Sequence, residues 1–404
     1  MIWRESYMEK LRGFIDQPEI VKILTGLRRS GKSVMMELIR QELGQRGVPS
    51  ENMIVLNFED MSIDNLKDPK ALHDYLKLEI DQIKGRAYLF LDELQEVTGW
   101  ETCINSLRVN SDVDIYVTGS NSKLLQGEFA DRLTGRFVQF QLYPFSFSEY
   151  CIAANEAKSN QTDAELFRQY LRQGGMPFVI NVGLNDNDAK LYLNDLYSAI
   201  ISKEIVKRHK IRDVDMLERI IGYVMANVGK TFSSASISKF FKKEHRTVAP
   251  ETILNYLKHC EDAYLFSKLS RLDIPGKRML EVNEKYYIAD HGMRQAVYGN
   301  NERDIELILE NMVCLELWRR GYTVCVGRVG KKEVDFVADR DDKRIYIQVC
   351  YLLAEETTIE REFGVYYGVS DNFPKYVVSM DELDMSRDGI VHQNIRDFLL
   401  SDAY

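Results

Sequence analysis

Eight consecutive residues, Gly26-Leu27-Arg28-Arg29-Ser30-Gly31-Lys32-Ser33, place two glycines, a lysine and a hydroxyl in the spacing G-x-x-x-x-G-K-S. That combination suits a polyphosphate. Gly26 and Gly31 let the backbone wrap closely, so that the N–H groups from Leu27 through Ser30 can surround phosphate oxygens with help from a helix N-terminus. Lys32 supplies a point charge to the terminal phosphates and Ser33 a hydroxyl to Mg²⁺. An apolar strand (Val21, Ile23, Leu24) precedes the loop and a helix (Val34, Met35, Leu38, Ile39) follows it, which a chance glycine-rich turn would not require. Farther on, Tyr88-Leu89-Phe90-Leu91-Asp92-Glu93 reads as an apolar strand ending in two carboxylates. The carboxyl ends of strands are where open α/β sheets bind ligands. Asp92 is expected to hold Mg²⁺ and Glu93 to orient or activate the attacking water. ATP and Mg²⁺ are therefore the expected ligands, and ATP hydrolysis the expected reaction.

A third strand, Ile115-Tyr116-Val117-Thr118, runs into Gly119-Ser120-Asn121-Ser122, and Ser120 or Asn121 could sense the γ-phosphate or the water. Arg132 and Arg136 are candidates for the charge that stabilises the transition state, with a solvated helix end as the alternative. The C-terminal segment carries a second constellation. Glu310 lies on a predicted helix, Asp335 in Glu333-Val334-Asp335-Phe336-Val337, and Gln348 in Ile347-Gln348-Val349-Cys350. A helix-borne Glu, a strand Asp and a polar-x-Lys strand resemble the PD-(D/E)xK nucleases, in which carboxylates hold a metal and a lysine assists the water. Here Cys350 stands where Lys belongs and Gln348 replaces a carboxylate, so the expectation is a vestigial metal site (Glu310, Asp335, Gln348) without activity; an ATP-regulated nuclease is the alternative. His291 and His392 are expected to satisfy local hydrogen bonds.

The elements that must position these residues follow from the apolar pattern. Strands are predicted at 21–25, 53–57, 87–91, 115–118 and 137–142, with helices at 33–46, 69–83 and 100–109 between them. Continuous apolar strands separated by helices indicate a parallel sheet covered on both faces. Gly174-Gly175-Met176-Pro177 breaks a helical region. Beyond it the pattern gives helices at 215–228 and 233–243, a third from Pro250 to about 261, and a hairpin (264–272, 279–288) around Pro275-Gly276-Lys277-Arg278. Three helices and a hairpin resemble a winged helix, whose third helix enters a major groove while the wing touches phosphates. Lys242, Lys243, Arg246, Lys277 and Arg278 are the expected phosphate contacts, and Thr252, Asn255, Lys258 and His259 face solvent or a ligand. The predicted organisation is an ATPase domain (1–145), a helical segment (146–212), a winged-helix domain (213–300) and an α/β nuclease-like domain (301–404).

The succession Gly26 to Ser33, Leu91-Asp92-Glu93-Leu94-Gln95, Gly99-Trp100-Glu101, Thr118-Gly119-Ser120-Asn121, Leu133-Thr134-Gly135-Arg136 and Pro144-Phe145-Ser146-Phe147-Ser148-Glu149-Tyr150 is similar to a widespread prokaryotic AAA+ ATPase family with a C-terminal domain of unknown function. The similarity continues through Gly174-Gly175-Met176-Pro177 to the C-terminal segment. The resemblance implies an AAA+-type P-loop NTPase fold and ATP, with Asn121 or Ser120 as sensor and Arg136 as finger.

Composition bounds the partners. The chain of 404 residues carries a formal charge of −9, yet residues 203–278 hold sixteen Lys or Arg against nine Asp or Glu, a local +7. A basic island in an acidic chain is a candidate anion surface, nucleic acid is the commonest large anion, and duplex DNA is the expected partner. The leading expectation couples nucleotide state to DNA; the alternative is a signalling or scaffolding NTPase that binds protein, and a homo-oligomer is compatible with both. No run of eighteen apolar residues and no leader pattern appears, so neither a membrane span nor export is expected. Six scattered cysteines without metal spacing read as reduced thiols, which points to the cytoplasm.

Overall fold

A computed structural model describes residues 2–125, 133, 135–157, 161–299 and 304–401. The chain forms two compact units, Met1–Tyr143 with Asp262–Tyr264, and Pro144–Glu261 with Leu265–Tyr404.

The first unit runs α1 (Glu5–Arg12), β1 (Val21–Thr25), α2 (Lys32–Gln45), β2 (Met53–Asn57), α3 (Pro69–Gln82), β3 (Ala87–Asp92), α4 (Trp100–Asn110), β4 (Val113–Gly119) and β5 (Phe137–Gln141). The five strands are parallel in the order β2-β3-β4-β1-β5. Alternate residues of each central strand feed two separate cores. Val21, Ile23, Leu89, Leu91, Ile115 and Val117 pack with the apolar faces of α3 and α4. Leu24, Tyr88, Phe90 and Tyr116 pack with α1 and α2, Phe90 and Tyr116 stacking at 4.9 Å. This explains why β1, β3 and β4 read as unbroken apolar runs: both faces are covered. A fully buried ion pair, Lys22 with Asp114, interrupts the second core. Tyr116 Oη donates to Asp114 at 2.8 Å and Lys22 Nζ to the carbonyls of Gln17 and Ile20, each at 2.9 Å, so the pair is satisfied and structural.

The second unit begins with α5 (Phe147–Glu156), α6 (Asp163–Gln173), α7 (Pro177–Val182) and α8 (Asp186–Ala199), continued by a π-helical stretch, Ile200–Lys207. Capping boxes start α5 at Ser146 with Glu149 and α6 at Thr162 with Glu165. Then come α9 (Val214–Ala226), α10 (Ser234–Lys243), α11 (Pro250–Asp262), the hairpin β6 (Phe266–Asp273) and β7 (Arg278–Ile288), and α12 (His291–Tyr298). The remainder is α13 (Ile305–Arg319), β8 (Thr323–Val329), β9 (Lys332–Arg340), β10 (Lys343–Val349), α14 (Glu356–Gly364), β11 (Lys375–Ser379), β12 (Val391–Asn394) and α15 (Ile395–Leu400). The hairpin does not stand alone. It forms one end of a seven-stranded sheet, β12-β11-β10-β9-β8-β6-β7, through parallel pairing of β6 with β8. Among the described residues no helix is long and apolar enough to cross a membrane.

Candidate active site

In the first unit β4 lies between β3 and β1, so the carboxyl ends of all three meet at one edge. The phosphate loop leaves β1 there. Gly26 has φ +139°, and a Cβ on it would fall 2.2 Å from the carbonyl oxygen of Leu142. Only glycine fits that approach. Arg29 (φ 67°) and Gly31 (φ 101°) complete the left-handed bends, and α2 starts at Lys32, aiming its N-terminus into the loop. Lys32 Nζ is buried and donates to the carbonyls of Gly26 and Leu27, each at 3.1 Å, with Glu93 Oε1 at 3.8 Å.

β3 delivers the carboxylates. Asp92, its last residue, is buried and accepts from the Thr118 hydroxyl. Burial pushes the Asp92 carboxyl up, while hydrogen bonds from Thr118 and Ser33 pull it back. A hydroxyl beside a carboxylate is a hard oxygen set of the kind Mg²⁺ takes, so Ser33 and Asp92 fit the ion expected with ATP. Glu93 turns into the left-handed region (φ 54°), which swings its side chain off the strand axis. Its N–H donates to Thr118 Oγ1 at 2.8 Å, and its carboxylate accepts from Ser120 Oγ at 3.1 Å and from Gln95 Nε2. The structure thus brings together Gly26 to Ser33, Asp92, Glu93 and Ser120, and the buried Asn121 follows Ser120 just beyond β4.

Three supporting residues escaped sequence reasoning. Thr118 joins both carboxylate residues, and its position in a Thr-Gly-Ser strand end was the available signal. Gln95 reaches back to Glu93 from only two residues on. Arg4 has no local signal at all: its guanidinium is buried, donates to the Ser30 carbonyl at 3.2 Å and the Tyr143 carbonyl at 3.0 Å, and lies over the Tyr7 ring.

Arg136 is not brought to this edge. It precedes Phe137, which pairs with Val21 at the amino end of β1. At about 3.3 Å per residue, five strand residues put it roughly 16 Å from the loop end of the sheet. Arg132 lies outside the described residues.

In the second unit Glu310, Asp335 and Gln348 do converge, but not as a metal site. The Asp335 N–H donates to Gln348 Oε1 at 3.1 Å, and Asp335 Oδ2 accepts from the Val349 N–H at 2.9 Å. Lys285 Nζ, from β7, sits 2.9 Å from Glu310 Oε1 and 3.6 Å from Asp335 Oδ1. An ammonium lies among the supposed ligands, so these residues do not fit a divalent ion beside it. Cys350 is buried and burial pushes its thiol up, which keeps it neutral. His291 bonds the Tyr170 carbonyl at 2.7 Å, and His392 lies 2.9 Å from Ser379 Oγ. Because His392 Nδ1 accepts from the Met385 N–H, its Nε2 carries the proton and cannot act as a base toward Ser379.

Comparison with known proteins places the chain. Residues 18–151 match an AAA domain family, and residues 164–304 match a domain of unknown function, DUF8612. An uncharacterized protein of Haemophilus influenzae is 35% identical over 402 residues, 99% of each chain. The uncharacterized protein MJ1544 of Methanocaldococcus jannaschii is 30% identical over 361 residues, 86% of this chain and 78% of its own. The solved Walker-type ATPase PABY2304 of Pyrococcus abyssi shares the fold with a TM-score of 0.51 at 15% identity, over 73% of this chain and 95% of that one. With its phosphate loop and paired carboxylates on an AAA domain, the chain belongs to one family with the Haemophilus influenzae and Methanocaldococcus jannaschii proteins, and its N-terminal unit is an AAA-type P-loop ATPase domain.

Proposed function

We propose that the chain hydrolyses ATP at the edge formed by β1, β3 and β4, and that it couples nucleotide state to duplex DNA through α9 to α11 and the β6–β7 hairpin. The observation that carries the first part is the convergence of Lys32, Asp92 and Glu93, with Glu93 held by Ser120 and Gln95. Lys32 exchanges its loop carbonyls for phosphate oxygens. Mg²⁺, held through Ser33 and Asp92 when ATP is bound, supplies charge neutralisation at the phosphates. Glu93 accepts the proton of the attacking water, and Asn121 and Ser120 flank that water. Arg136 sits beside the amino end of β5, away from its own site, so a role as arginine finger requires a neighbouring copy.

The DNA part is supported by exposure and charge. Lys242 and Lys243 end α10 exposed, Lys277 is exposed in the hairpin turn, and Asn255 and Lys258 lie on the open side of α11. Arg246 contributes less, because it pairs with Asp215 at 2.7 Å. The nuclease-like cluster is read as inactive, with Cys350 in place of lysine and Lys285 among the carboxylates.

Fluorescence anisotropy of a labelled duplex across a salt series tests the coupling. Phosphate contacts release counterions, so the logarithm of the wild-type binding constant should fall linearly with log salt. Lys242→Glu with Lys243→Glu should weaken binding and flatten the slope by about one per lysine, with ATP turnover intact. A wild-type chain that binds no duplex at low salt, with or without ATP, removes DNA from this function and leaves the protein-binding alternative.

A further inference from the structure

Asp262–Tyr264 lies far along the chain, yet it belongs to the first unit, and Asp262 is the last residue of α11. The Leu265 N–H donates to the Cys260 carbonyl at 3.0 Å, the bond that closes a helix over a left-handed residue. Glycine is the favoured occupant of that position; here it is Tyr264, with φ 56°. A tyrosine in this conformation is strained, and such strain persists only where the surroundings fix the residue. Tyr264 is fixed. Its ring is buried, and Gln139 Nε2 donates to its Oη at 3.3 Å.

Asp262 and Tyr264 both end on residues that adjoin the ATPase site. Gln139 Nε2 also donates to Thr25 Oγ1 at 2.8 Å, and Thr25 is a second hydrogen-bond partner of the Tyr264 phenol. Thr25 is the last residue of β1 and precedes Gly26, so these three side chains hold the root of the phosphate loop. Asp262 is buried, and its Oδ1 accepts from Ser122 Oγ at 2.7 Å. Ser122 follows Asn121 and stands two residues from Ser120, whose Oγ donates to Glu93 at 3.1 Å. A fixed Ser122 limits where Ser120 and Asn121 can go, and with them the Glu93 carboxylate.

We propose, on the reading that ATP is hydrolysed at the edge of β1, β3 and β4, that Asp262 and Tyr264 are positioning residues of that site. Asp262 sets the turn after β4 through Ser122, and so the groups beside the attacking water. Tyr264 sets Thr25, together with Gln139, beneath the loop that takes the phosphates. The two residues therefore act on different quantities: Asp262 on turnover, Tyr264 on nucleotide affinity.

Steady-state ATP hydrolysis and nucleotide titration on the full chain test this split. Asp262→Ala and Ser122→Ala should each lower kcat about fivefold, the worth of one ordinary hydrogen bond, with the ATP Kd unchanged. The double variant should fall no further than either single, because both remove the same bond. Asp262→Asn keeps an acceptor oxygen for Ser122 and should turn over as wild type does. Tyr264→Phe keeps the ring and should raise the ATP Kd about fivefold with kcat at saturation unchanged. Additive losses in the double variant, or an Asp262→Asn as slow as Asp262→Ala, overturn the role of Asp262; an unchanged Kd in Tyr264→Phe overturns that of Tyr264. Where Asp262→Ala does not fold, Ser122→Ala decides, and wild-type kcat there overturns the Asp262 role. Glu93→Gln keeps the two readings apart. If it does not slow turnover, hydrolysis at this edge fails and the positioning roles fail with it, whereas a slowed Glu93→Gln beside wild-type kinetics in the other variants overturns the positioning roles alone.

Discussion

Thr118 accepts the Glu93 N–H at 2.8 Å and donates its hydroxyl to Asp92, so one β-branched side chain sets both carboxylates. Valine has nearly the same shape and neither polar function. Thr118→Val would leave the Glu93 N–H unpaired in a buried place, a cost of about 1–3 kcal/mol that the loop can relieve only by moving Glu93. The phosphates are not touched. The expected outcome is a drop in kcat on the order of tenfold with the ATP Kd nearly unchanged, measured by steady-state turnover and nucleotide titration. Unchanged kcat would show that Thr118 does not hold the base. The same residue illustrates what a sequence conceals. Gly26, Lys32, Ser33, Asp92 and Glu93 are legible because their spacing is fixed by local backbone around a phosphate. Thr118 and Arg4 act across 25 or more residues of chain, and such distance leaves no pattern.

At the scale of elements, α2 to α4 and the strands of the first unit fall where apolar periodicity puts them, β1 at Val21–Thr25 and β2 at Met53–Asn57 among them, whereas α1 is not among the helices read from the pattern. Doubly covered strands are unbroken apolar runs, and helix starts are marked by capping residues such as Asp68 before Pro69. Strand order is a different matter. The pairing of β6 with β8 merges the hairpin and the C-terminal strands into one sheet, and no residue of either announces it. Lys285 is the consequence: its partners at 310, 333 and 335 are identified only once β7 lies in that sheet. Glycines show how the same residue type differs between elements. Gly26 has φ +139° and a carbonyl 2.2 Å from its absent Cβ, whereas Gly44 lies exposed near the end of α2 with nothing within 4 Å. Gly26→Ala should therefore displace the loop and weaken ATP binding by about tenfold or more, while Gly44→Ala should raise stability by about 0.5–1 kcal/mol with turnover unchanged. Denaturant unfolding and nucleotide titration on both variants separate the two effects; equal ATP affinity in Gly26→Ala and wild type would remove the close approach to Leu142 from the site's design.

At the scale of the molecule, the chain divides its chemistry. Lys32, Asp92, Glu93 and the residues that hold them all belong to the first unit, and the basic helices and the Lys285 cluster to the second. The positive charge is local within the second unit, with residues 203–278 at +7 in a chain of −9. The relatives from Haemophilus influenzae and Methanocaldococcus jannaschii extend across both units, so the family keeps the ATPase domain and the second unit in one polypeptide. ATP hydrolysis at the edge of the parallel sheet is the claim on which the rest stands. Single-turnover and steady-state hydrolysis of ATP by wild type, Lys32→Ala and Glu93→Gln, with nucleotide affinity measured on the same preparations, tests it most directly. Lys32 contacts phosphate in the ground state and Glu93 acts only on the water. Lys32→Ala should thus lose ATP affinity, whereas Glu93→Gln should bind ATP as wild type does and turn it over about a hundredfold or more slowly. Wild-type turnover in Glu93→Gln, or undiminished ATP affinity in Lys32→Ala, would contradict it.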